Sequence, residues 1–313
     1  MKLKIDHTML RLVGGTVSLL VLASGIGAML GRRPGGATDA TLTNFNARLR
    51  AWWVLVGVYT AAWLLGPTGS IALFGVISFL ALREFITLTP TRQGDHRALF
   101  WIFFVITPLQ YYLVAIQAYD FFTVLIPIYA FLFIPIRNAI AGDCEQFLER
   151  TAKIQWALMV CVYCVSYAPA LLALRIPGYQ QNAVLLFYFV LVVQLSDVLQ
   201  YCWGKTCGRR LIAPRVSPHK TWEGFLGGVL SATAVGTALW WATPFSPAQA
   251  FGMSLAITLM GFGGGLVMSA IKRDRRVKDY GTLLPGHGGM LDRIDSLCFA
   301  APVFYLLTRH FFT

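Results

Sequence analysis

Two stretches of this chain hold the residue types that phosphate chemistry uses. The first runs from Asp197 to Gly228, DVLQYCWGKTCGRRLIAPRVSPHKTWEGFLGG, and combines Lys and Arg with repeated glycines. The second runs from Ser269 to Ser296, SAIKRDRRVKDYGTLLPGHGGMLDRIDS. In it, Asp292 and Asp295 stand three residues apart at the start of an expected helix, so both carboxylates project from one face of its first turn. Such a pair can share a divalent cation, and Mg2+ takes oxygen ligands from one or two carboxylates plus substrate phosphates. Helix capping at the positive end of the dipole, with Arg293 between the two acids, is the ordinary alternative.

Pro285-Gly286-His287-Gly288-Gly289 precedes that helix. Glycines there allow backbone N–H groups to approach a phosphate closely, and His287 can donate to a phosphate oxygen. The plain alternative is a loop-to-helix turn with a structural histidine. Lys272, Arg273, Arg275, Arg276 and Lys278 crowd the end of the preceding apolar run. Facing solvent and lipid is the default for such a cluster. Next to two carboxylates and a glycine loop, it also matches phosphoryl or nucleotidyl transfer, in which several phosphate charges are neutralised while the groups are held in line.

The upstream stretch repeats this logic in Ser217-Pro218-His219-Lys220-Thr221-Trp222-Glu223-Gly224. Thr221 reads as a helix N-cap, Glu223 lies in the first turn, and Lys220 offers a point charge for phosphate. Asp197 lies near the end of an apolar run. A carboxylate there costs roughly 2.5 to 3.5 kcal/mol on insertion scales, which marks it as functional, with Lys205 or a metal as its partner.

The elements that must position these residues are membrane helices. The 313 residues are 57% hydrophobic and only 13% charged, whereas a soluble domain has roughly 25% charged residues. No Asp, Glu, Lys or Arg occurs between Glu223 and Lys272, and one helix of that length would far outrun a bilayer about 30 Å thick. It must fold back, at Pro244-Phe245-Ser246-Pro247. Apolar runs read against breakers give ten spans, at 9–30, 51–66, 70–88, 98–117, 121–136, 154–174, 183–203, 223–242, 248–271 and 291–310. The expected fold is all-α and polytopic, with N-terminal helices over 1–180 and a catalytic region with cytoplasmic loops over 181–313.

The first run is too long for the apolar core of a signal peptide, and Gly31-Arg32-Arg33-Pro34 lacks a small-x-small cleavage pattern, so it reads as a retained span. Cys161 and Cys164 read as small packing residues, and no zinc site is expected. Most Lys and Arg fall in alternate loops, which by the positive-inside rule are cytoplasmic. All acids but Asp6 and Asp120 follow them, and orientation alone does not require that. The net charge of +12 suits anionic lipid headgroups, and no pattern for nucleic-acid binding accompanies it.

The two stretches resemble the phosphatidate cytidylyltransferase (CDP-diacylglycerol synthase) family. The likeness runs through Ser269-x-x-Lys272-Arg273, Lys278-Asp279, Leu284-Pro285-x-His287-Gly288-Gly289 and Asp292-Arg293-x-Asp295. Asp197, Gly204-Lys205 and Ser217-Pro218-x-Lys220-Thr221-x-Glu223-Gly224 extend it upstream, so it covers roughly residues 190–300. It implies an enzyme that joins CTP and phosphatidate with Mg2+ to give CDP-diacylglycerol and pyrophosphate. Asp197, Asp292 and Asp295 would hold the metal. Lys220, Lys272 and Arg273 would act in catalysis beside the two aspartates of the helix. Ser217, Lys205, Lys278, His287, Gly288, Gly289 and Arg293 would bind substrate. The expected setting is a bacterial inner membrane, with the site facing the cytoplasm and a homodimer left open. One departure stands out. The family commonly has an Asp and a Glu before the serine, as in G-D-x-x-E-S, where this chain has Gly265 and Met268. That marks a divergent paralogue and leaves two alternatives, a CTP-dependent lipid kinase and a non-catalytic membrane protein.

Overall fold

The computed structural model describes residues 7–31, 40–89, 91–281 and 288–313. Among the described residues ten helices follow one another. They are α1 (His7–Gly31), α2 (Ala40–Leu64), α3 (Gly66–Thr87), α4 (Gln93–Ala115), α5 (Tyr119–Ile140), α6 (Phe147–Ala173), α7 (Asn182–Cys207), α8 (Trp222–Ala238), α9 (Pro247–Asp274) and α10 (Leu291–Phe312). Among the described residues seven of them, all but α2, α8 and α10, are long and apolar enough to cross a membrane. Large apolar side chains such as Leu19, Met29, Leu65 and Ile140 remain exposed on the outside. Water disfavours such a surface, whereas lipid suits it. The chain is an all-α, multi-pass membrane protein.

The breaks fall where local chemistry puts them. Gly66 takes a φ of +80°, and Pro67 opens α3, so α2 and α3 meet at a single sharp turn. At the second break Ser246 caps α9. Its hydroxyl accepts from the Gln249 N–H at 3.4 Å, and the Gln249 side chain accepts from the Ser246 N–H at 2.8 Å. Within α4 and α5 the ladder widens to π-type turns at Ile102–Ile106 and Leu125–Ala130. Pro108 follows the first and Pro127 lies inside the second, and a proline cannot donate to the regular ladder.

Helices α7 to α10 pack most intimately, and α10 also lies against α3 and α6. Glycines set the spacing. A Cβ on Gly224 would lie 2.9 Å from the Gly204 Cα, one on Gly228 would lie 2.6 Å from the Gln200 Cα, and one on Gly264 would lie 2.6 Å from the Asp295 carbonyl oxygen. Larger residues would push these backbones apart. The core between α3, α6, α7, α9 and α10 is filled by rings such as Phe189 and Phe304, stacked at 5.2 Å, and by buried Cys161 and Cys298.

Helices α4 and α6 are locked at one end by a network of charges. Arg150, at the start of α6, is 4% exposed and meets Asp95 of α4, 0% exposed, at 3.3 Å and Asp143 at 2.9 Å. Arg92 joins from outside, pairing with Asp143 at 2.9 Å and with Glu145 at 2.6 Å.

Candidate active site

The end of α9 and the start of α10 come together around Asp292. The Lys272 ammonium donates to Asp292 Oδ1 at 2.8 Å, and both side chains are largely buried. The backbone N–H groups of Tyr280 and Gly289 donate to Asp292 Oδ2 at 2.8 and 3.0 Å. Tyr280 fixes this corner: its hydroxyl donates to the Met268 carbonyl at 2.8 Å and its ring stacks on Phe85 of α3. Gly288 has a φ of +78°, and a Cβ there would lie 2.8 Å from Asp292 Oδ2, so the turn needs glycine at this point.

A residue outside both sequence stretches completes this corner. Glu84, in the last turn of α3, accepts from the Met290 N–H through Oε1 and from the Leu291 N–H through Oε2, each at 2.8 Å. A carboxylate on the first N–H groups of a helix satisfies orphan donors and meets the positive end of its dipole. Gly289 makes room, since any Cβ there would collide with Glu84. A signal was available: a carboxylate in an apolar span is the same feature that singled out Asp197.

One turn further along α10 a second group forms. Asp295 accepts from its neighbour's backbone, the Ser296 N–H, at 2.8 Å, and the Ser296 hydroxyl donates to Asp197 Oδ1 of α7 at 2.9 Å. Lys220 approaches from the loop before α8, with Asp295 and Asp197 as its charged neighbours. Its ammonium sits over the Phe262 ring at 4.9 Å. Burial pulls its pKa below the ordinary lysine range, against the opposing effect of the two aspartates. The space beside Lys220 exists because residue 265 is glycine, as a Cβ there would lie 2.9 Å from Lys220 Nζ. Met268, at the other departure from the family pattern, is fully buried.

The loop carrying Lys220 is built to hold it. Thr221 caps α8 by accepting from the Gly224 N–H at 3.1 Å, as its position before the helix predicts. Glu223 accepts from the Arg209 and Arg210 N–H groups at 3.0 and 3.1 Å, and Leu211 pairs with Thr221 across the loop. Ser217 contributes a backbone turn, donating to the Ala213 carbonyl at 2.8 Å and accepting from the Lys220 N–H at 3.4 Å. Arg273 reaches across from α9 to donate to the Val216 carbonyl at 3.2 Å.

The structure thus brings together Asp197, Lys220, Lys272, Asp292 and Asp295, with Arg293 near Asp197 and Arg273 and Ser217 behind them. Lys205 and Lys278 are exposed and make none of the contacts described above. Asp197 therefore finds its partners in Ser296, Lys220 and Arg293, all outside its own helix. His287, Pro285 and Gly286 lie outside the described residues. The glycines of the first stretch serve helix packing, and the Gly289 N–H serves Asp292.

The donor set decides which groups suit a divalent cation. Among the described residues no three His, Cys, Asp or Glu side chains gather as one set. Both oxygens of Asp292 are engaged, by Lys272 and by two backbone donors. Asp197 and Asp295 neighbour each other, and neither carboxylate reaches salt-bridge distance of a cation among the described residues. That pair fits a Mg2+ ion completed by substrate phosphates, and Asp292 as it stands does not.

The chain is similar to known proteins. The family described as "Cytidylyltransferase family" matches residues 46–311. The chain is 39% identical over 302 residues to the uncharacterized protein YnbB of Escherichia coli (strain K12), covering 94% of this chain and 96% of that protein. It is 39% identical over 134 residues to the phosphatidate cytidylyltransferase of Bacillus subtilis (strain 168), covering 42% of this chain and 50% of that enzyme. The corresponding enzyme of Staphylococcus aureus (strain COL) is 40% identical over 124 residues, 39% of this chain and 48% of that one. The match to these two enzymes therefore spans about half of their length.

Proposed function

This chain belongs to the cytidylyltransferase family, and we propose that it transfers the cytidylyl group of CTP to phosphatidate, releasing CDP-diacylglycerol and pyrophosphate at the basic face of a bacterial inner membrane. The observation that carries this reading is the meeting of Lys220 with Asp197 and Asp295 where α7, α9 and α10 converge. The positive-inside rule makes that face cytoplasmic, where CTP is available.

The chemistry asks little of a base. A phosphate oxygen of phosphatidate, already anionic, attacks the α-phosphorus of CTP. A new P–O bond forms, the bond to the β-phosphate oxygen breaks, and pyrophosphate leaves with the electron pair. Lys220 neutralises charge on the phosphates from a half-buried position, where its interaction is stronger than in water. Lys272 and Asp292 hold the Tyr280 and Gly289 backbones in place, and Glu84 fixes the start of the helix that carries Asp295. Mg2+ bound between Asp197 and Asp295 would supply neutralisation of the triphosphate and polarisation of the phosphoryl group. Gly265 and Met268 give the site two fewer acids than the family pattern, so a substrate that needs its hydroxyl deprotonated suits it less than a phosphate does.

Incubation of the full chain in detergent with CTP labelled at the α-phosphate, phosphatidate and Mg2+ tests this. The expected result is label in the lipid, lost on addition of a chelator. Label only in CDP would mean a lipid kinase, and no turnover of CTP would mean a non-catalytic paralogue.

A further inference from the structure

A cavity of about 330 Å³ opens at the other end of the bundle, where α4 ends, α5 begins, and α6 and α10 both end. Arg309 of α10 lines it, seventeen residues after Asp292 and so about 25 Å along the helix from the candidate active site. Arg175, just after α6, lines it as well.

Two features set this cavity apart. Neither arginine forms an ion pair with a side-chain carboxylate among the described residues, although most of the chain's acids lie near the opposite end. In addition, the wall is aromatic. Arg309 lies over the Tyr119 ring, Tyr119 stacks on Tyr305 with centroids 6.2 Å apart, and Tyr167 packs edge-on to Tyr305 at 5.2 Å. Gln117, whose φ is +60°, adds an amide at the rim. A planar guanidinium offers forked donors that match phosphate oxygens, and tyrosines at a membrane interface accommodate the glycerol and acyl part of an amphiphile.

We propose that this cavity is a binding site for a phosphate-bearing anion, of the kind that an anionic phospholipid headgroup presents, at the membrane face opposite the candidate active site. Arg175 and Arg309 take the phosphate, and Tyr119 and Tyr305 line the apolar side. The site stands apart from the cytidylyl-transfer reading, since none of its residues belongs to the Asp197, Lys220 and Asp295 group.

The test reconstitutes the full chain in phosphatidylcholine vesicles doped with spin-labelled phosphatidylglycerol or, in parallel, spin-labelled phosphatidylcholine. Wild type is expected to immobilise more of the labelled phosphatidylglycerol than of the phosphatidylcholine, and the Arg175→Gln/Arg309→Gln variant is expected to lose that excess. Arg309→Lys, which keeps the charge, retains at least part of it and serves as the folding control. Displacement of the labelled lipid by millimolar inorganic phosphate would assign the site to free phosphate as well as to lipid, and no displacement would assign it to lipid alone. An equal immobilised fraction for both lipids, or an excess unchanged in the double variant, would overturn the proposal.

Discussion

The chain gathers charge in two places, and it treats the two groups differently. Around Arg150 the network closes on itself: Asp95, Asp143, Arg92 and Glu145 alternate in sign, and the central guanidinium is nearly buried. Around Lys220 it stays open. Asp197 takes a neutral hydroxyl as partner, Asp295 takes a backbone N–H, and no carboxylate closes on the ammonium among the described residues. A closed network has spent its electrostatics on holding helices together. An open one keeps cations and carboxylates available to a ligand that carries both phosphates and metal. Charge content alone does not separate these roles. The separation lies in whether each group's partners are already present in the folded chain.

The largest expected effect on stability tests the closed side. Arg150→Ala leaves Asp95 buried without its cation, and breaking a buried pair from one side costs about 3 to 5 kcal/mol. A thermal unfolding scan in detergent should show a lower Tm, while CTP turnover per folded molecule stays at the wild-type level. A loss of turnover with no change in Tm would erase the distinction between the two networks.

Glu84→Gln probes the support of the open side, at the start of the helix carrying Asp295. The amide keeps one acceptor for the Met290 or Leu291 N–H but loses the charge at the helix dipole, an interaction of about 0.3 to 2 kcal/mol. Turnover should fall by up to about tenfold, in kcat more than in KM, because the substitution shifts the helix carrying Asp295 and touches no substrate. Unchanged steady-state rates would remove Glu84 from the site.

Lys220→Arg gives the smallest change near neutral pH and a clear one in alkali. The burial-lowered pKa of Lys220 means that its charge is lost at a lower pH than that of an ordinary lysine. The alkaline limb of the rate profile therefore lies below the lysine range in wild type, and it should move upward with arginine, which stays protonated. A limb that stays in place would show that another group titrates there.

Much of the fold was legible from the sequence because apolar runs and their breakers are local signals. The Gly66-Pro67 turn, the Ser246 cap and the Thr221 cap all fall where residue type puts them. The site was legible as a set of motifs and less so as a geometry. Spacing suggested that Asp292 and Asp295 share one ion. Lys272, reaching in from another helix, takes Asp292 together with two backbone donors, and Asp295 turns toward Asp197 and Lys220. Sequence periodicity cannot anticipate a partner that arrives from a different helix. Gly224, Gly228 and Gly264 show the same limit: their types say nothing of which backbone they face, and in three dimensions they are contact points between helices. Glu84, some two hundred residues from the helix it caps, belongs to no motif at all.

The most direct measurement is pyrophosphate release by Asp295→Asn with CTP, phosphatidate and Mg2+, on protein whose thermal unfolding matches wild type. Loss of one ligand and charge from the open network should lower kcat by about a hundredfold or more. Wild-type release from a folded Asp295→Asn protein would contradict the assignment of catalysis to this cluster.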